Sequence, residues 1–263
     1  MSEAAQLFAD GKAYERLMGR WSRLAGDLFL DWLELPKGLH WVDVGCGNGA
    51  FTEAVIARAA PAAMTAIDPS EGQLAYARQR PGAELVQFRL GDAQALPFAD
   101  ASFDVAAMAL VIVFVPDPAK AVAEMARVTR RGGCVATYMW DIEGGGMPLR
   151  PIYVAMRSLG LTLPLQLATA ASRQDSLLAM WAAAGLRSVE TQVIRITVTY
   201  ADFDDFWDSS TAPVGVAGNA VNKLSPGERE RLRAQLREQL PAGPDGRIRY
   251  EAFANAIKGR VPG

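Results

Sequence analysis

VDVGCGNGAF, residues 42–51, is the stretch that decides how this chain folds. A short apolar run ends in Gly45, Gly47 and Gly49 and passes at once into a helical pattern. Glycines at this spacing admit positive φ angles and remove the Cβ atoms that would keep a ligand away from the helix N-terminus. Gly45, Gly47 and Ala50 also satisfy the dinucleotide-binding form of the motif, with alanine in its last position. About 20 residues past the turn, AIDPSEGQLAYAR ends a second apolar run on Asp68, a carboxylate able to accept from both hydroxyls of a ribose.

From that turn outward, residues 40 to about 140 alternate short apolar runs with helical periodicity, the pattern of repeated βα units and a parallel sheet. Strands are predicted near 40–44, 63–67, 84–89, 103–108 and 133–139. Helices are predicted over Ala50–Arg58 and over Glu71–Arg78, the latter opened by Ser70 with Gln73 three residues on. A further helix starts at Asp117 and Pro118, carries Ala121, Val122, Met125 and Val128 on one face, and is punctuated by Gly132 and Gly133. Beyond 140, Gly144, Gly145 and Gly146 interrupt regular structure. Ser172 with Asp175 then opens a helix whose Leu177, Leu178 and Trp181 face inward before Gly185, followed by a β-rich run Arg187–Tyr200. Phe203–Asp208 reads as a short helix, and Ser225, Pro226 and Glu228 start one that carries Leu232, Leu236 and Leu240. The tail Arg247–Val261 reads as a last strand. The fold predicted is α/β, a doubly wound, mainly parallel seven-stranded Rossmann-like sheet with helices on both faces and a small helical cap. It forms a single domain over 1–263, with a core of about 36–140, 172–200 and 246–261 and cap insertions at about 141–171 and 201–245.

The 263 residues suit one large domain. Lysine and arginine number 27 against 29 acidic residues, a net charge of −2 that gives no footprint for nucleic acid or an anionic membrane. Arg229, Arg233 and Arg237 share a helical face, but interleaved glutamates make it a solvated amphipathic helix. No apolar run reaches the roughly 18 residues of a membrane span, and the opening MSEAAQLFADGK lacks a signal layout, so the cytoplasm is the default location. Cys46, Cys134 and the single His40 supply neither a disulfide framework nor a metal site, and both thiols are expected to be free.

On these residues alone the turn takes either NAD or S-adenosylmethionine. VDVGCGNG, the acidic end of strand two, GDAQALPFADASFDV at 91–105 and the RRGG before strand five together resemble the class I S-adenosylmethionine-dependent methyltransferases, of the group (methyltransferase type 11) that includes the ubiquinone and menaquinone biosynthesis enzymes. The resemblance covers residues 40 to about 140. It implies that Asp43 and the turn Gly45, Cys46, Gly47 and Gly49 surround the methionine part of S-adenosyl-L-methionine. Asp68 holds the ribose, Pro69 lies beside the adenine, and Gln73 is a further cofactor-binding residue. Asp92 and Ala93 take the adenine edge, and the Ala109 carbonyl takes the methionine ammonium. Tyr14 and Arg20, in YERLMGRWSR, resemble a segment that closes over the methionine carboxylate. ALVIVFVPDP departs from the relatives, many of which carry a histidine or asparagine near 112–114.

The chemistry implied is an in-line methyl transfer, in which alignment of the partners supplies about 7–11 kcal/mol of the barrier. A general base adds about 10²–10⁴-fold where the acceptor arrives protonated. Asp141, at the end of strand five, is the candidate base. Phe114, Trp140, Met147, Tyr153 and Trp207 are candidates for a pocket suited to a small apolar or aromatic acceptor, which would be the only partner; monomer and homodimer both remain open. Two other readings use the same residues: a protein that binds the donor or S-adenosylhomocysteine without turnover, and an NAD-dependent oxidoreductase.

Overall fold

The structure, a computed structural model, describes residues 19–161, 168–213 and 215–263. Its sheet contains β1 (His40–Val44), β2 (Ala63–Asp68), β3 (Val86–Leu90), β4 (Phe103–Ala109), β5 (Thr129–Trp140), β6 (Arg187–Tyr200) and β7 (Ile248–Arg260), in the spatial order 3-2-1-4-5-7-6. β1 to β5 run parallel, and β7 pairs antiparallel with both β5 and β6. Four consecutive residues of β4, Val105 to Met108, are fully buried, as are Val135 and Ala136 of β5, so the central strands are covered on both faces. The predicted doubly wound sheet is the one observed.

The helices are α1 (Arg20–Leu33), α2 (Ala50–Ala59), α3 (Glu71–Ala77), α4 (Pro118–Val128), α5 (Arg150–Ser158), α6 (Gln174–Ala183), α7 (Phe203–Ser210), α8 (Gly215–Asn222) and α9 (Pro226–Gln239). Local chemistry starts several of them. Ser70 accepts from the Gln73 amide, Asp117 from the Lys120 amide, and Ser225 and Glu228 form a capping box. α4 buries Ala121, Val122, Met125 and Val128, the stripe its spacing predicts. α1, outside the expected core, buries Trp21, Ala25, Phe29 and Leu33 and packs on α2. That i, i+4 series is an ordinary amphipathic signal. No described helix is long and apolar enough to cross a membrane.

Three local expectations are corrected. Gly132 and Gly133 do not separate α4 from a strand: β5 begins at Thr129, and its pairing with β4 slips between Phe103↔Thr129 and Val105↔Cys134. The glycines lie in this bulge, where a Cβ on Gly133 would stand 2.7 Å from the Asp104 carbonyl oxygen. Ser172 does not cap α6. Its hydroxyl accepts from the Ile142 amide and donates to the Thr169 carbonyl, and the residue before α6 is Arg173. Leu177 and Trp181 are buried, but Leu178 is 42% exposed, because successive residues on a helix turn away from one another. The Trp181 indole N–H, donating to the Val135 carbonyl at 3.3 Å, ties α6 to the sheet.

The segments proposed as a cap contain α5, the short 3₁₀ turn at 169–172, and α7 to α9. α5 and α9 pack together, with Gln235 Nε2 donating to Ser158 Oγ. The α9 arginines are engaged within the chain. Arg229 and Arg233 lie over the Trp207 ring, Arg237 lies over Phe203, and Arg233 and Arg237 both reach Asp204.

Candidate functional site

β1 lies between β2 and β4, so the connections from β1 and β4 leave on opposite sides and a crevice opens at the strands' C-terminal ends. The cleft there is lined by Gly45, Cys46, Gly47 and Asn48 of the turn and by Ala50, Phe51 and Ala54 of α2. Asp68, Pro69, Ser70 and Gln73 line it after β2, and Gly91 to Gln94 after β3. Ala109 to Val111 and Phe114 to Pro116 follow β4, Tyr138 comes from β5, and Ser22, Arg23 and Gly26 come from α1.

The glycine turn is held from behind. The Gly45 and Cys46 amides both donate to the Ile67 carbonyl, at 2.7 and 3.0 Å, and the Gly49 amide donates to the Cys46 carbonyl. Gly45 has φ +76°, and a Cβ there would stand 2.6 Å from a Val111 methyl. Gly47 has φ +52°, and a Cβ there would meet nothing within 4 Å. The one closes the wall against the β4 loop; the other leaves open space on the cleft side, where a ligand can meet bare backbone.

Asp68 is fixed from both ends. Its Oδ2 accepts from the Gly47 amide and its Oδ1 from the Ser70 amide, each at 2.9 Å. Burial pushes its carboxyl up, and the two amide hydrogen bonds oppose that. Each oxygen keeps a further lone pair. Asp92, by contrast, is exposed and chelated by its neighbour: Oδ1 accepts from the Gln94 amide at 2.8 Å, and Gln94 Nε2 reaches both oxygens.

Asp43 stands behind the turn, not on the cleft surface. It is 1% exposed; Thr52 Oγ1 donates to its Oδ2 at 2.6 Å, and its Oδ1 has no donor among the described residues. Burial first, and Asp68 nearby, raise its carboxyl to about 7 against the Thr52 hydrogen bond. Cys46 is buried at the cleft, where burial holds its thiol well above the usual range; Cys134 is buried two strands away, and both are free.

Of the other residues singled out from the sequence, Gly45, Cys46, Gly47, Asp68, Pro69, Gln73, Asp92, Ala93, Ala109 and Phe114 are brought together on the cleft. Gly49 supports the turn from beneath, where a Cβ would stand 2.9 Å from Ala77. Trp140, Met147, Tyr153 and Trp207 are not on the cleft lining. Trp140 and Trp207 are buried in the core, and Tyr153 is packed so that burial raises its hydroxyl to about 12. Asp141 also lies off the lining, its Oδ1 accepting from the Gly144 amide at 2.7 Å as a turn cap. Tyr14 and the Arg20 side chain lie outside the described residues. His40 is exposed at the opposite end of β1. No group of three His, Cys, Asp or Glu residues that could hold a metal occurs among the described residues.

Several cleft residues were not singled out: Ser22, Arg23, Gly26, Gln94, Leu110 and Tyr138. Gln94 sits within the GDAQ stretch and was legible there. Leu110 turns the chain out of β4 at φ +60°, a conformation costly for a branched side chain and recurrent at functional sites. Tyr138 pairs in register with Ala109, and its ring packs 4.7 Å from Phe29 and 6.1 Å from Phe51.

Comparison with known proteins shows what the chain is similar to. Residues 42–137 match the family model described as a methyltransferase domain. A malonyl-[acyl-carrier protein] O-methyltransferase of Erwinia pyrifoliae is 32% identical over 180 residues, covering 68% of this chain and 63% of that protein. A ubiquinone/menaquinone biosynthesis C-methyltransferase of Dinoroseobacter shibae is 38% identical over 121 residues, 44% of this chain and 48% of its own. The chain thus spans less than two thirds of the length of these relatives. A solved phosphoethanolamine N-methyltransferase of Haemonchus contortus, in complex with S-adenosyl-L-methionine, shares the fold with a TM-score of 0.58 at 18% identity, covering 95% of this chain and 56% of that one.

Proposed function

We propose that this chain, which carries a methyltransferase domain over residues 42–137, transfers a methyl group from S-adenosyl-L-methionine to a small, apolar or aromatic acceptor. The observation that carries the reading is the open face at Gly47, with the Asp68 carboxylate fixed beside it by the Gly47 and Ser70 amides. The residues present fit the donor: bare backbone at the turn, a carboxylate with spare lone pairs for a ribose, and an Asp43 oxygen behind the turn, without a donor among the described residues, to balance a cation. Asp68, Pro69, Asp92 and Ala93 would hold the adenosine, and Gly45, Gly47 and the Ala109 carbonyl the methionine part. When bound, the donor supplies a methyl on a sulfonium leaving group. The chain's part is alignment and exclusion of water. Phe51, Phe114 and Tyr138 give the acceptor side an aromatic, largely apolar wall, with α1 closing it at Ser22 and Gly26. Asp141 has no part in this reading, since its carboxylate caps Gly144. The free, buried cysteines suit a reducing compartment, and we place the enzyme in the cytoplasm.

Calorimetry with S-adenosylmethionine, S-adenosylhomocysteine and NAD tests the donor. The first two should bind and NAD should not. Asp68→Ala should weaken S-adenosylhomocysteine binding about tenfold or more, because two ribose hydroxyls lose a charged acceptor. Unchanged affinity in this variant would count against the pose. A methyl-transfer assay across apolar and aromatic acceptors tests turnover, and tight donor binding without transfer to any of them would favour a sensor.

A further inference from the structure

Asp43 has no ordinary structural reason to be ionised. Thr52 on α2 satisfies one oxygen, and the residues paired with Asp43 on β2 and β4 are Ala66 and Ala107, which bring no side-chain donor. Among the described residues, the ionisable groups of the surrounding elements do not compensate it. β2 brings Asp68, a like charge, and the turn brings the Cys46 thiol. On α2, Glu53 is paired with Arg80, while Arg58 is paired with Asp27 and Asp31 of α1. α1 also brings Arg23 to the cleft, and β5 brings Tyr138. Among the described residues, none forms an ion pair with Asp43. A buried carboxylate in that position keeps its proton.

We propose that Asp43 is a proton-exchanging counter-charge for the cleft: it stays protonated until a cation enters beside the glycine turn, and it releases its proton to solvent as that cation binds. The inference rests on the cleft taking S-adenosylmethionine, whose sulfonium and ammonium are the cations in question. Asp43 acts through the turn, two residues from Gly45, without touching the ligand, and Thr52 holds the charged form. A carboxyl raised to about 7 places the exchange within the physiological range. Below that pH the cation must displace the proton, so affinity for it should rise about tenfold per pH unit up to pH 7 and then level off.

The test is calorimetry of the full chain in phosphate and in Tris, whose ionisation heats differ, between about pH 5.5 and 8.5. Three ligands are compared: S-adenosylmethionine, S-adenosylhomocysteine and the uncharged 5′-methylthioadenosine. The first two should release roughly half a proton at pH 7, and the third none. Asp43→Asn should abolish the release. Thr52→Val, which removes the hydrogen bond favouring the charged form, should move the midpoint of release to higher pH and serves if the asparagine variant fails to fold. Binding of S-adenosylmethionine with no proton exchange across this range overturns the inference and leaves the methyltransferase reading standing. So does release that persists in Asp43→Asn, or equal release with 5′-methylthioadenosine. If none of the three ligands binds, both fall.

Discussion

Replacing Gly45 by alanine should lower affinity for S-adenosylhomocysteine by about a hundredfold or more and destabilise the chain by about 2–4 kcal/mol. Two costs combine. A side chain at φ +76° carries left-handed strain of about 1–2 kcal/mol. The new methyl would also stand 2.6 and 2.8 Å from the Val111 methyls, an overlap that must be relieved by moving either the turn or Val111, both of which line the cleft. Calorimetry and thermal melts read the two effects separately. Adding Val111→Ala should recover part of the lost stability, because it removes the overlap and leaves the φ strain. Gly47→Ala differs, since its Cβ meets nothing: it should fold with the φ strain alone yet still lose binding, because its methyl fills the space meant for ligand. Wild-type affinity in Gly45→Ala would mean that the turn does not form the binding wall.

Asp43→Asn should make the ligand-free chain more stable at pH 8, by roughly 2–4 kcal/mol, and leave it nearly unchanged at pH 3.5. In the unfolded chain Asp43 ionises near 3.8; in the folded chain burial raises it to about 7. A group with its folded value raised contributes stability that is fully present below 3.8 and is lost as pH rises to about 7. The neutral asparagine keeps the shape and Thr52 as neighbour but has no charge to bury, so the difference between variant and wild type opens across that window and is constant above it. Melting curves of both proteins at several pH values check this. An equal difference at pH 4 and pH 8 would show that Asp43 is not held neutral. The same substitution is expected to weaken S-adenosylmethionine binding at pH 8, so stability and binding are set against each other at this one carboxylate.

Much of the cleft was legible because its chemistry is local. Gly45 to Gly49 must turn a strand into a helix within a few residues, and the carboxylate at the end of the next strand must face the same turn, so pattern and spacing place them together. The acceptor side was not legible in this way. Trp140, Met147, Tyr153 and Trp207 are aromatic or polarisable residues at the end of β5 or beyond it, but the fold spends Trp140 and Trp207 in its core, and the α9 arginines cover Trp207. Tyr138, which does line the cleft, sits in a strand where every neighbour is also buried, so nothing in its surroundings sets it apart.

The order of the β1 to β5 units, the glycine turn, Asp68 and the helix starts at Ser70, Asp117 and Ser225 are fixed by the sequence itself, because each depends on interactions within a few residues or on a strict hydrophobic period. The inward face of α6, the bulge in β5, and the side chains that close the cleft from α1 and β5 were decided by tertiary packing. Asp43 belongs there too: its identity is plain in the sequence, but that Thr52 reaches one of its oxygens while the other has no donor among the described residues depends on what Ala66, Ala107 and Thr52 bring to it from three other elements.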